Sequence, residues 1–202
     1  RGGDLSPLIQ LADRGFSPNP PEAGHDRTFS LDTLPQEYAT SGAGDFRLPS
    51  IQAELADGSR IVDLRFCGYM VHQGKYALEG LPAFFAREDE ADTLTVYLAD
   101  AVSGLRVELL YGVLEDCDLI TRAVRVVNGG EAPFRLLQAA SLCLDFLRAD
   151  LDLITFDGRH TMERLPSRAP LRPGVQGVGS VRGISSHQHN PFAVLCEGDA
   201  NE

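Results

Sequence analysis

Tryptophan is absent from this chain of 202 residues, and methionine occurs only twice. Cysteine is scarce as well: Cys67, Cys117, Cys143 and Cys196 stand far apart, without a Cys-x-x-Cys pair. That spacing excludes the usual zinc frameworks and the disulfide lattice of small secreted domains. Cys67 and Cys143 lie in apolar runs, so both are expected as reduced, buried thiols, and a reducing, cytoplasmic setting follows. Basic residues are few. Eighteen Lys and Arg face 29 Asp and Glu, for a formal net charge of -11. Nucleic acid and anionic membrane surfaces need the opposite sign and are excluded as partners. No apolar run approaches the roughly 20 residues that span a bilayer. The acidic balance suits a soluble protein handling neutral substrates. Arg1-Gly2-Gly3-Asp4 lacks both Met and an apolar stretch, and Glu197 to Glu202 is a polar turn, so both ends read as cut.

Helix signals are nearly missing too. Ser6-Pro7 could open a turn or two over Pro7 to Leu11, but no capping box starts a sustained helical period. The first 50 residues read as a Pro-rich ordered loop region, punctuated by Pro7, Pro18, Pro20, Pro21, Pro35 and Pro49, with one short strand over Thr28 to Leu34.

Strand signals then take over. Ile51, Ala53 and Leu55 alternate with polar residues, Asp57-Gly58 supplies a turn, and Arg60 to Val71 reads as the second arm of a hairpin. Leu94 to Leu98 and Leu105 to Val113 alternate cleanly. Glu115-Asp116 makes a corner, Leu119 to Val127 reads as covered on both faces, and Asn128-Gly129-Gly130 marks a turn. Phe134 to Phe146, Leu153 to Phe156, Val175 to Val181 and Phe192 to Cys196 complete the set. Many short strands with Gly-rich turns predict an all-β sandwich of antiparallel strands.

No complete active site emerges. Asp116 and Asp118, and likewise Asp145 and Asp152, read as solvated turn carboxylates rather than a glycosidase pair. His187 and His189 would share a strand face, but no third ligand accompanies them. The segment Ser185 to Asn190 reads as a hydrogen-bonding loop, not a metal site or a triad. Arg65 shares a strand face with Cys67, yet the apolar setting favours an inert thiol. The loop Asp13 to Pro21 differs in kind: it joins an acid, a base and Phe16 to rigidifying prolines. It is either a plain surface loop or a preordered acceptor for ligand hydroxyls.

Asp13-Arg14-Gly15-Phe16-Ser17-Pro18-Asn19-Pro20 and Asp26 to Tyr38 resemble segments of glycoside hydrolase family 36 α-galactosidases. So do Asp45-Phe46-Arg47, Ile120-Thr121-Arg122, Pro170-Leu171 with Gly174-Val175-Gln176, and Arg182 to Phe192. The resemblance runs in order through nearly the whole chain. It implies that residues 1–202 are an N-terminal antiparallel β-supersandwich, cut at both ends. The parent would hydrolyse terminal α-galactosyl residues of the melibiose or raffinose type with retention of configuration. Its catalytic aspartates would lie in a (β/α)₈ barrel beyond this chain, so no residue here is catalytic and no cofactor or metal is needed. A tetramer is implied, in which Asp13 and Arg27, with Phe16 beside them, contact substrate in a neighbouring subunit. His160 departs from the pattern, which usually has an aromatic there. The alternative is a stand-alone carbohydrate-binding or scaffolding sandwich.

Overall fold

The computed structural model describes residues 35–41, 47–146, 148–183 and 187–200. The chain divides into two compact units, Arg1–Asp145 and Phe146–Glu202. Both are built of antiparallel sheet, as the strand pattern predicts.

In the first unit, β2 (Arg65–Gln73), β3 (Asp92–Ala99), β4 (Leu105–Leu114) and β5 (Leu119–Asn128) form a four-stranded meander. The turns follow from side-chain chemistry. Asp100, though buried, accepts Val102 N–H at 2.9 Å and the Ser103 hydroxyl at 3.0 Å, which curls the chain from β3 into β4. A 3₁₀ turn at Glu115–Cys117 and left-handed Asp118 join β4 to β5. Asn128 accepts Gly130 N–H at 3.1 Å to leave β5.

Alternation on β4 sends Leu105, Val107 and Leu109 to one face, where all three are fully buried. They meet Ile51 and Ala53 of β1 (Ile51–Glu54), together with Tyr38 and Val62. Each such side chain contributes about 1.5–3 kcal/mol on burial. β1 pairs with β6 (Arg135–Ala139) in a separate two-stranded sheet. The core-facing side of the large sheet stays open at β2, where Phe66, Tyr69 and Val71 are exposed. On the opposite face, the Thr93 hydroxyl accepts Tyr76 N–H at 2.9 Å and donates to Gly74 O at 2.7 Å. Gly112 leaves room there: a Cβ would stand 2.5 Å from Thr121 Oγ1.

The second unit orders its strands β8-β7-β9, with β7 at Leu151–Arg159, β8 at Met162–Pro170 and β9 at His189–Glu197. At the bulge before the β7–β8 turn sits Gly158, where a Cβ would lie 2.2 Å from the Met162 carbonyl oxygen.

Several sequence expectations are corrected here. Ile51 to Leu55 and Arg60 to Val71 do not form a hairpin. The Asp57-Gly58 turn is made, with Leu55 N–H donating to Ser59 O at 2.9 Å, but Val62 then dives into the core and the chain crosses between sheets. Phe134 to Phe146 is a strand only over Arg135–Ala139, and Val175 to Val181 is irregular. β8 is missed because its two prolines and lack of alternation argue against a central strand; it is an edge strand. Cys67 is exposed, since β2 is an edge strand whose two faces are both largely uncovered, and Cys143 is only half-buried. The expectations for Pro7 to Leu11 and Thr28 to Leu34 lie outside the described residues. Among those described, no helix is long and apolar enough to cross a membrane.

Candidate functional site

Asp13, Phe16 and Arg27 all lie outside the described residues. What the structure does describe is how other parts of the family-like motifs converge. Glu37, Arg47 and Arg122 belong to three segments separated by up to 85 positions, and they gather around one short stretch of chain, 36–38.

That stretch is gripped from both sides. Asp145 accepts Gln36 N–H at 2.7 Å and also pairs with Arg47. The Tyr38 hydroxyl donates to Ala140 O at 2.9 Å, and Ser50 N–H donates to Ala39 O at 2.8 Å. Thr40 then bridges to Ile51 at the start of β1. Between these holds, the Glu37 carboxylate accepts the Tyr111 hydroxyl and lies 3.4 Å from Arg122 Nη2. Tyr111 and Arg122 are cross-strand partners on β4 and β5, and the guanidinium carbon sits 4.0 Å from the Tyr111 ring centre.

The burial is uneven. The Arg122 side chain is 5% exposed, whereas Glu37 is 56% exposed. Arg122 Nε and Nη1 are buried and have no hydrogen-bond partner among the described residues. Burial pushes the Tyr38 hydroxyl up to about 12, although the Arg122 charge pulls the other way and Cys143 adds to the rise. Burial also holds the Tyr111 hydroxyl well above its ordinary range, helped by its hydrogen bond to Glu37. Asp145 is therefore no solvated corner: an arginine and a backbone amide hold it at 27% side-chain exposure. Sequence reading missed Glu37, Tyr111 and Arg122 as a group. The available signal was Arg122 itself, which shares a strand face with the core-packed Val124 and Val126.

The second unit holds its own polar cluster. His189 Nδ1 lies 2.7 Å from Asp157 Oδ1 across the β7–β9 pair. Asn190 donates to Phe156 O at 3.2 Å, and the Phe156 and Phe192 rings pack at 5.1 Å. His189 also borders a shallow cavity of about 330 Å³ with Ser180 and Pro191. The hydrogen-bonding reading of His189 and Asn190 thus fits, while Ser185 and Ser186 lie outside the described residues. Among the described residues, no three His, Cys, Asp or Glu side chains gather as a metal site. Asp152 is again no solvated turn residue. Arg168 reaches it at 2.7 Å and also donates to the carbonyls of Glu197, Gly198 and Ala200. His160 stands exposed at the β7–β8 turn.

In each of these clusters a carboxylate is held by an arginine, a histidine or a tyrosine hydroxyl. The profile of the glycosyl hydrolase family 36 N-terminal domain matches residues 2–202. The chain belongs to that family. α-Galactosidase AgaA of Geobacillus stearothermophilus is 47% identical over the whole chain, which covers 27% of it. The bifunctional α-galactosidase/sucrose kinase AgaSK of Mediterraneibacter gnavus is 48% identical over 96% of the chain and 21% of its own length. The solved galactosidase domain of AgaSK superposes with a TM-score of 0.91 at 46% identity, covering all of this chain and 28% of that one. A variant of AgaA solved with raffinose gives 0.91 at 45% identity, with the same shares. This family 36 N-terminal domain therefore spans about a quarter of the length of the relatives it matches.

Proposed function

We propose that this family 36 domain is the N-terminal part of a retaining α-galactosidase and serves its substrate site without performing the chemistry. The observation that carries this is the unbroken match to the family, with 47–48% identity to two proteins named as α-galactosidases. The substrates are α-galactosides of the melibiose and raffinose type, in keeping with AgaA variants solved with raffinose and with stachyose. Cleavage belongs to two carboxylates supplied outside residues 1–202, one as nucleophile and one as acid/base, about 5–5.5 Å apart.

The domain's part is recognition and assembly. Asp13 accepts hydrogen bonds from galactosyl hydroxyls, Arg27 orients it by a charge-assisted bond, and Phe16 offers an apolar face beside them. These groups serve a neighbouring subunit in a homo-oligomer, a tetramer. The enzyme works in the reducing cytoplasm, in keeping with four free cysteines.

The test uses the full reading frame that carries this chain. The whole enzyme should hydrolyse an aryl α-galactoside and residues 1–202 alone should not; activity in the fragment would overturn the proposal. Asp13→Ala subunits mixed with subunits lacking a catalytic carboxylate should regain activity through hybrid sites. A mixture no more active than its parts would remove the neighbouring-subunit role. Light scattering reads the tetramer, and cell fractionation the compartment.

A further inference from the structure

The face of the four-stranded sheet opposite the core is covered at one end by the chain at 74–76. Tyr76 N–H donates there to the Thr93 hydroxyl, and a Cβ on Gly112 would crowd the Lys75 and Tyr76 side chains. Toward the other end the same face sinks into a cavity of about 490 Å³, lined among others by Cys67, Tyr97, Ala99, Arg106, Glu108 and Val127. That size suits a small-molecule site.

The strand register explains the hollow. Tyr97, Glu108 and Arg125 stand in one row across β3, β4 and β5, and Ala99, Arg106 and Val127 stand in the next. The β2 partner of Tyr97 is Gly68, so no side chain rises beside the ring on that side. Cys67 is the extra residue of the bulge just before it.

Two polar groups of opposite kind share this hollow. Glu108 Oε2 accepts from Arg125, which leaves Oε1 as an acceptor. Arg106 is seated against Gly129, where a Cβ would stand 2.7 Å from Nε. Its guanidinium makes no ion pair or side-chain hydrogen bond among the described residues. The two residues lie two positions apart on β4, about 7 Å along one face. Arg106 alone would suit an anion, but the Glu108 carboxylate in the same hollow opposes one. A neutral polyol satisfies both, because a hydroxyl can accept from Arg106 while another donates to Glu108. The half-buried Tyr97 ring beside them offers a flat apolar surface for the C–H face of a sugar ring.

We propose that this hollow binds a neutral pyranose sugar, stacked on Tyr97 and held through its hydroxyls by Arg106 and Glu108. The residues of the site lie on β2 to β5, and galactose is the probe that the family reading above suggests.

Cys67 supplies the test. Its exposed thiol lines the hollow, whereas the exposed thiol of Cys117, in the 3₁₀ turn, does not. The full-length enzyme is alkylated with iodoacetamide, with and without galactose, and the rates at both cysteines are read by peptide mass spectrometry. One stacked ring and two hydrogen bonds correspond to a dissociation constant of about 1 mM. About 10 mM galactose should then slow alkylation of Cys67 about tenfold and leave Cys117 unchanged. Arg106→Met and, separately, Glu108→Gln should each cut that protection to about twofold, the scale of one lost charge-assisted bond. Arg60→Met, which removes a surface ion pair with Glu54, is the control and should keep the full protection.

Equal alkylation of Cys67 with and without galactose would overturn the proposal, as would protection that survives both variants. Stronger protection by galacturonate than by galactose would make the hollow an anion site and overturn it too. A Cys67 that fails to react in the full-length enzyme would show the hollow covered by the rest of the chain, with the same consequence. None of these results touches the family reading, which falls only if the full-length enzyme leaves an aryl α-galactoside uncleaved.

Discussion

Arg168 offers the sharpest test of the second unit. Its guanidinium reaches Asp152 at 2.7 Å and donates to the carbonyls of Glu197 and Ala200 at 2.9 Å and of Gly198 at 3.1 Å. It thereby ties β8, an edge strand, to β7 and to the turn that follows β9. The two side chains are 22% and 18% exposed, closer to a buried pair than to a surface one. Breaking a buried pair costs about 3–5 kcal/mol and an exposed pair about 0.2–1 kcal/mol. For Arg168→Met we expect about 2–3 kcal/mol, because Asp152 is left largely enclosed without its cation while the freed carbonyls recover water. Amide hydrogen exchange is the assay, since it reads opening locally: protection over 151–170 and 189–197 should fall by about 30- to 150-fold. Asp152→Asn alone should cost about 1 kcal/mol, as the amide oxygen still accepts from Arg168. The double variant should be more stable than Arg168→Met, because no stranded carboxylate remains. Unchanged protection in Arg168→Met would refute the bracing role. A double variant as unstable as the two losses summed would refute the charge argument.

Three other outcomes follow from the same packing. Leu109→Ala, at a fully buried core position, should cost about 2–5 kcal/mol in denaturant unfolding of the first unit, while Glu108→Ala beside it costs far less. Gly158→Ala should destabilise the β7–β8 hairpin by about 1–3 kcal/mol, read by hydrogen exchange, because the new Cβ would meet the Met162 carbonyl oxygen at 2.2 Å. Tyr38 keeps its proton more tightly folded than unfolded, since burial raises it from 10.0 to about 12. Its contribution is fully present below pH 10 and is lost as the pH rises toward 12, so unfolding followed from pH 9 to 12 should steepen in that window and be flattened by Tyr38→Phe.

The period-2 pattern of Leu94 to Leu98 and Leu105 to Val113 was legible because it needs only residues two apart, and both became strands. On β4 Leu105, Val107 and Leu109 are fully buried as expected, but Val113 is exposed, and on β3 Thr93 and Thr95 are buried more deeply than Leu94, Val96 and Leu98. The Asp57-Gly58, Glu115-Asp116 and Asn128-Gly129 turns were legible for the same reason: a turn is decided by its own few side chains. Pairing was not. Nothing near Ile51 says that its partner is Ala139, and nothing near Arg60 says that Val62 leaves the hairpin for the core. β8 defied the pattern because an edge strand tolerates Pro166 and Pro170 where a central strand would not.

The site divides along the same line. Sequence motifs alone carried the family membership and the naming of Asp13, Phe16 and Arg27. Only tertiary structure brought Glu37 onto Tyr111 and Arg122, and Arg168 onto the turn after β9. Local patterns report which face a side chain takes. Whether a charge on that face meets its partner depends on chain packed from far away in sequence, so Arg122 read as one residue in a strand until the fold set it beneath Glu37.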